Sequence, residues 1–298
     1  MTRRYAWILN LDAELELARG RPGYVPQRKL LAQLAEHGGS SRALLGPTDV
    51  LLEAGVAGAQ PPDPRSNELV GRAWCPTPMA VASLRAHGVE PEPYPDPAVL
   101  RRVNHRLFGH ELGGGLPEQT YVRSREHLLE RVAGYARRWL LKRPLSFAGR
   151  GQMRIIGPIT DKQSTWVDAS LKRDGVLLEP LVQPTFEVSL HGFVWRDGQR
   201  ELGRICTQVV SERGAFLGVR LALPNELGPS ERTALHERAE AVASALADAG
   251  YFGPFGIDAY RYTLDGASAF CALGEVNARY TLAFTTGFPR HPSELSLG

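Results

Sequence analysis

The feature that constrains this chain most is a pair of long apolar segments, 255–263 and 270–280, on either side of the turn Leu264-Asp265-Gly266-Ala267. An Asp-Gly turn between two such runs reads as an antiparallel hairpin. Within these apolar surroundings stand Asp258, Glu275 and Asn277. Glu275 and Asn277 are two residues apart and share one face of a strand, while Val276 between them points into the core. Three oxygen-bearing side chains converging on one face suit a hard, octahedral Mg2+ that bridges nucleotide phosphates. Arg279 continues that face and can reach a phosphate or a substrate carboxylate. A polar face turned to water is the alternative, and the apolar flanks speak against it.

Two further constellations lie upstream. Lys142 sits in the strand-like WLLKRP (139–144), followed by SFAGRGQMR (146–154) with Gly149 and Gly151. Such a hairpin can cover a phosphate: the glycines let backbone N–H groups approach the oxygens, and the lysine supplies a point charge. A tight hairpin with a snorkelling lysine fits the same residues. The second constellation is LLEPLVQPTFE (177–187), with Glu179 and Glu187 eight residues apart across a proline bend. The backbone around Leu181 and Val182 could pair with an adenine edge there, and a carboxylate could accept ribose hydroxyls. Two solvated strand glutamates would look alike. No G-x-x-x-x-G-K-[ST] loop occurs, and no G-x-G-x-x-G follows the first strand.

The 298 residues amount to about two domains' worth of chain. Residues 5–11 read as a strand, 26–37 as a helix, 42–46 and 71–75 as strands, and 79–87 as a helix stopped by Gly88. This alternation predicts a small parallel sheet with helices on its faces. The stretch 55–67 reads as a loop. One helix carries Leu100, Val103, Leu107 and Leu112, and Ser124 caps another. Thr160 and Gln163 form a capping box, long strands follow from 176, and a helix spans Glu231 to Ala249. Four lysines stand against 31 arginines at a net charge of +3. The arginines are scattered, so no nucleic-acid partner is expected. The skew makes Lys142 stand out, because Arg is otherwise the rule. Three cysteines without paired spacing exclude a disulfide framework. The basic start is cut short by Asp12 and Glu14, and no apolar run approaches the ~20 residues that span a bilayer. A soluble cytoplasmic protein without a membrane partner is the expectation, and a homodimer is compatible with it.

In order and spacing, these constellations resemble the ATP-grasp superfamily from about residue 100 onward, and more loosely before it. The resemblance implies an α/β and α+β chain: a small parallel-sheet pre-ATP-grasp domain (1–103), a small lobe with the glycine flap (104–184), and a C-terminal lobe with the metal site (185–298), the two lobes clamping ATP. It implies that Lys142 and the flap residues Ser146, Gly149, Arg150 and Gly151 hold phosphates. Glu179, Leu181, Val182 and Glu187 would hold the adenosine, and Asp258, Glu275 and Asn277 would hold Mg2+, or Mn2+ in its place. Arg279 and Arg220 would stabilise charge at the transferring phosphoryl group. The family's first phosphate-contacting lysine has no counterpart; Arg106 is the nearest candidate, and its planar fork is not equivalent to an ammonium. The implied chemistry is ligation: a carboxylate becomes an acylphosphate, and an amine from an amino acid or peptide-like substrate displaces the phosphate. A kinase acting on a hydroxyl and a non-catalytic nucleotide-binding module are the alternatives. The stretch 211–226 and the loop 55–67 are candidates for covering the substrate.

Overall fold

The computed structural model of the chain describes residues 3–20, 23–25, 41–54, 68–133, 138–146, 150–210 and 216–297. The helix expected at 26–37, the loop at 55–67 and Gly149 of the flap lie outside the described residues. So do residues 211–215 of the expected substrate-covering stretch.

The N-terminal sheet is parallel, as the β–α alternation predicts. Strand β1 (Arg4–Ile8) runs between β2 (Val50–Leu52) and β3 (Leu69–Ala73). Helix α1 (Ala13–Arg19) follows β1. The strand expected at 42–46 is instead a 3-10 turn, Arg42–Leu44, and the chain enters the sheet only at Val50. Asp49 explains the shift: its carboxylate accepts from the Gly46 and Tyr5 backbone N–H groups and from the Trp7 indole, which fixes β2 beside β1. Helix α2 (Pro78–Ala86) starts with proline in its first turn, where the missing N–H costs nothing.

The helix expected across Leu100 to Leu112 is two helices, α3 (Pro97–Val103) and α4 (Arg106–Glu111). Both residues at the break have better partners than the helix offers. The buried Asn104 amide exchanges two hydrogen bonds with the Ala278 backbone, at 2.9 and 3.2 Å. His105 caps α4 by accepting from the Leu107 N–H.

The small lobe is an antiparallel sheet of β4 (Thr120–Val122), β5 (Trp139–Lys142), β6 (Gln152–Ile155) and β7 (Val176–Pro180), ordered β4-β7-β5-β6. Helices α5 (Arg125–Ala133) and α6 (Asp161–Leu171) pack on it, and the capping box of Thr160 and Gln163 is formed. The lobe has its own core, in which Trp139, Leu141, Val176 and Leu178 meet Leu128 and Val167. Each such side chain contributes roughly 1.5–3 kcal/mol on burial.

The large lobe is built on β8 (Gln183–Val194), β9 (Arg200–Leu202), β10 (Cys206–Val210), β11 (Phe216–Leu221), β12 (Gly253–Leu264) and β13 (Ala267–Asn277). Its order is β11-β10-β8-β12-β13, with β9 pairing to β8. Helix α7 (Pro229–Asp248) buries Leu235, Ala239, Val242 and Leu246 in the cluster that holds Val188, Leu190, Ile257 and Ala259 of the sheet. Those four share one face of β8 and β12, which turns Glu187, Ser189, His191 and Asp258 to the other. A short helix, α8 (Phe284–Gly287), follows β13.

One core joins the N-terminal sheet to the large lobe, with Tyr5, Trp7 and Trp74 in the same cluster as Phe255 and Phe284. Arg72 anchors the join. Its side chain is buried, makes two 2.6 Å contacts to Glu92, stacks 3.7 Å over the Tyr5 ring, and donates to the carbonyls of Pro292 and Leu295. The Tyr5 hydroxyl donates to the same Leu295 carbonyl. All three cysteines are free and buried. Among the described residues no helix is long and apolar enough to cross a membrane.

Candidate functional site

The hairpin that dominates the sequence delivers its polar side chains as the spacing predicts. Asp258 of β12 lies directly opposite Glu275 of β13, and Gly256 lies opposite Asn277. On the other side of β12, Asp258 faces Ser189 of β8. Beyond Asp258 the hairpin bulges: Asp258 and Tyr260 are two residues apart, while their partners Glu275 and Cys271 are four apart. Gly274 makes this possible, because a Cβ there would lie 2.6 Å from the Tyr260 ring. The bulge locally twists the strand beside the carboxylates.

Asp258 is the electrostatic centre of this face. Burial first and the nearby Glu275 second push its carboxyl up, the 2.9 Å hydrogen bond from the Asn277 amide opposes them, and the group stands at about 7. A buried carboxyl raised by a second carboxylate is a pair that favours a cation between them. Asp258, Glu275 and the Asn277 carbonyl form an oxygen-donor set suited to a hard divalent ion. Among the described residues no three His, Cys, Asp or Glu side chains converge to make a site without the asparagine.

Arg279 is less free than its place in the sequence suggests. Its guanidinium pairs with Glu14 of α1, donates to the Asn277 side-chain Oδ1 at 2.9 Å and to the Tyr280 backbone carbonyl at 3.1 Å, and lies over the Trp74 ring. It therefore fixes the Asn277 amide, which in turn fixes Asp258. Glu14 was not anticipated. The local signal was three acids at alternate positions, Asp12 before α1 and Glu14 and Glu16 within it, all of them buried.

In the small lobe Lys142 and Glu179 meet. Leu140 and Glu179 are paired across β5 and β7, so Lys142, two residues from Leu140, lies diagonally across from Glu179. The ammonium is 2.5 Å from the carboxylate, and both side chains are largely buried. Glu179 also acts on Tyr260 of the large lobe, whose phenol is raised by burial first and by Cys271 and Glu179 after it. The Leu181 N–H is taken by the Arg138 carbonyl at 2.8 Å, while Val182 packs against the cluster of Leu116, Tyr262 and Cys271. Glu187 is exposed, on the face that carries Asp258.

Arg106 joins the two lobes. Its backbone N–H donates to the Pro144 carbonyl at 3.0 Å. One guanidinium nitrogen donates to the Arg143 carbonyl (2.6 Å) and the Ser146 hydroxyl (2.7 Å), and the other donates to Glu275 (2.8 Å). Gly151 adopts φ +69°, and a Cβ there would press on Ser146 at 2.9 Å, so glycine keeps the loop's root closed. Arg150 is exposed at the start of the return to β6.

Arg220 is not brought to this cluster. It is in register with Thr207, Val188 and Ala259, on the face toward α7, and β11 is the outermost strand of its sheet. There it is exposed and pairs with Glu226. A buried imidazole, by contrast, was missed. His191 bonds Ser189 and Thr281 through its two ring nitrogens, each at 3.0 Å, and burial pushes it down to about 4. The ring fits because Gly256 and Gly287 flank it.

A small parallel sheet followed by two α+β lobes has the architecture of the ATP-grasp fold. Neither a family model nor a curated protein matches the sequence. Solved structures do match. D-alanyl-alanine synthetase A from Vibrio cholerae superposes with a TM-score of 0.56 at 14% identity, over 100% of this chain and 92% of that one. An N5-carboxyaminoimidazole synthetase from Staphylococcus aureus complexed with ADP gives 0.53 at 11% identity, over 94% of this chain and 71% of that one. A D-alanine–D-alanine ligase from Bacillus anthracis gives 0.51 at 9%, over 96% and 90%. At these identities the likeness is one of fold.

Proposed function

We propose that the chain is an ATP-dependent, ADP-forming ligase that activates a small carboxylate as an acylphosphate and couples it to an amine. The observation that supports this reading best is that Arg106 ties the root of the glycine loop to Glu275. That contact brings Arg106 and Glu275 together where the two lobes meet. In this reading Lys142 holds nucleotide phosphates, with Glu179 keeping its ammonium in place, and the segment 181–187 holds the adenosine. Asp258, Glu275 and Asn277 hold Mg2+, or Mn2+, which when bound neutralises phosphate charge. Arg279 orients Asn277 and borders the space in which the acid is phosphorylated. Little covalent work falls to the protein, since phosphoryl transfer depends on positioning and charge stabilisation. The small-molecule partners are a carboxylate and an amine, with amino acids or peptide-like molecules the first to try.

The test is ADP release with pooled amino acids and small carboxylates. ADP and free phosphate that require both an acid and an amine support ligation; a stable phosphorylated product in place of free phosphate refutes it. Glu275→Ala and Asp258→Ala should each abolish turnover, and near-normal ADP formation by either refutes the assigned metal face.

A further inference from the structure

The two cations best placed for nucleotide phosphates are both committed to carboxylates: Lys142 to Glu179, and Arg106 to Glu275. The second pair is the unusual one, because Glu275 is also a proposed metal ligand. The Arg106 side chain is only 8% exposed and that of Glu275 is 35% exposed, so the contact lies at the mouth of the site with its cationic half inside. One nitrogen of the fork is anchored on the Arg143 carbonyl and Ser146, and only the other spans to Glu275. A change of partner therefore requires one nitrogen to let go while the other keeps the guanidinium in place.

Resting on the ATP-site reading, we infer that Arg106 and Glu275 form a charge-exchange pair. Glu275 holds the guanidinium until a divalent cation takes the carboxylate, and the released nitrogen then serves a nucleotide phosphate.

The argument is one of charge balance. A nucleotide arriving without a metal would have to draw Arg106 from Glu275, leaving that carboxylate uncompensated beside Asp258 and the incoming phosphates. A metal arriving without a nucleotide would have to draw Glu275 from Arg106, leaving the cation nearly buried with no anion. When both arrive, each charge changes partner and none is stranded. Metal and nucleotide binding are then coupled through one ion pair, and the coupling is reciprocal. The partial exposure of Glu275 screens the pair, which sets the expected effects near tenfold rather than thousandfold.

The exchange predicts that two substitutions each tighten one ligand. Glu275→Gln releases Arg106, so ADP in EDTA, followed by calorimetry, should bind about tenfold tighter than to the wild-type chain, with a smaller gain on adding Mg2+. Arg106→Gln releases Glu275, so Mn2+ alone, followed by electron paramagnetic resonance, should bind about tenfold tighter, while ADP with Mg2+ binds more weakly. Arg106→Lys, which keeps the charge but not the fork, should lie between the wild-type chain and Arg106→Gln and covers the case in which Arg106→Gln does not fold. The exchange is overturned if Glu275→Gln leaves metal-free ADP binding unchanged or weaker. It is equally overturned if the folded Arg106 variants leave Mn2+ binding unchanged or weaker. Failure of the wild-type chain to bind ADP even with Mg2+ is a different result, and refutes the ATP site itself together with the exchange built on it.

Discussion

Replacing Lys142 by Met separates the structural part of the Lys142–Glu179 pair from its proposed binding part. The Glu179 side chain is 5% exposed and that of Lys142 15%, with 2.5 Å between the charges. Removing the ammonium leaves a carboxylate in the interior without its counter-ion, a change that costs about 3–5 kcal/mol when a buried pair loses one member. Against a typical total stability of about 5–15 kcal/mol, that is a large loss. Replacing both members, Lys142→Met with Glu179→Leu, removes the stranded charge as well and should return most of the loss, since apolar pairs of similar volume often substitute for a buried ion pair without penalty. Urea unfolding followed by tryptophan fluorescence reads this, with Trp139 and Trp166 reporting on the small-lobe cluster and Trp7, Trp74 and Trp195 on the other core. Calorimetry with ADP and Mg2+ reads the other half. Both variants should lose nucleotide affinity, whereas only the single variant should lose stability. A single variant within about 1 kcal/mol of wild type would show that the pair is not desolvated as described. A double variant less stable than the single one would refute the stranded-charge argument, and a double variant that binds ADP normally would remove Lys142 from the site.

Two further predictions concern the large lobe. Asp258 has a folded pKa of about 7 against an ordinary 3.8, so the folded state holds this proton more tightly than the unfolded chain. Stability should therefore fall as pH rises from about 4 to about 7, a loss that Asp258→Asn should remove and that pH-dependent urea unfolding without metal should detect; parallel pH profiles for the two proteins would contradict it. Gly256→Ala places a Cβ 2.7 Å from His191 Nδ1 and 3.1 Å from Thr281, so the ring and the segment after β13 must shift. The expected cost is about 1–3 kcal/mol, and a thermal melt indistinguishable from wild type would show that the pocket has slack.

The hairpin was legible because its signals are local: an Asp-Gly turn, alternating residues and a strong apolar background. It spans Gly253–Leu264 and Ala267–Asn277, close to the expected limits. Its bulge was not legible, since nothing in residues 271–275 announces that Gly274 lies against the Tyr260 ring. Apolar periodicity also failed to show the break between α3 and α4, which depends on Asn104 reaching Ala278, 174 residues away. The run Ala43-Leu44-Leu45 is too short for periodicity to choose between turn and strand, and Asp49 decides the matter from outside it. Strands β9 and β11 lie at the margins of their sheet, and β9 owes its form to the much longer β8 it pairs with. Arg279 followed the same pattern at the site. The strand expected to carry it ends at Asn277, and its partner Glu14, 265 residues earlier, leaves no mark near it. Arg220 was placed by sequence position alone, and sheet register turned it toward α7.

The Arg72 anchor has a consequence for how the chain comes into being. Tyr5 and Arg72 complete their bonds on the carbonyls of Pro292 and Leu295, across 290 and 220–223 residues. Contacts that distant form late, because a long loop must close before they repay its entropy. During synthesis the first strand would thus wait, with the Arg72 cation paired only to Glu92, until residue 295 has left the ribosome. The small lobe, whose core lies wholly between Val122 and Leu178, has no such wait. It can be folded while the sheet that precedes it in the chain is still unfinished.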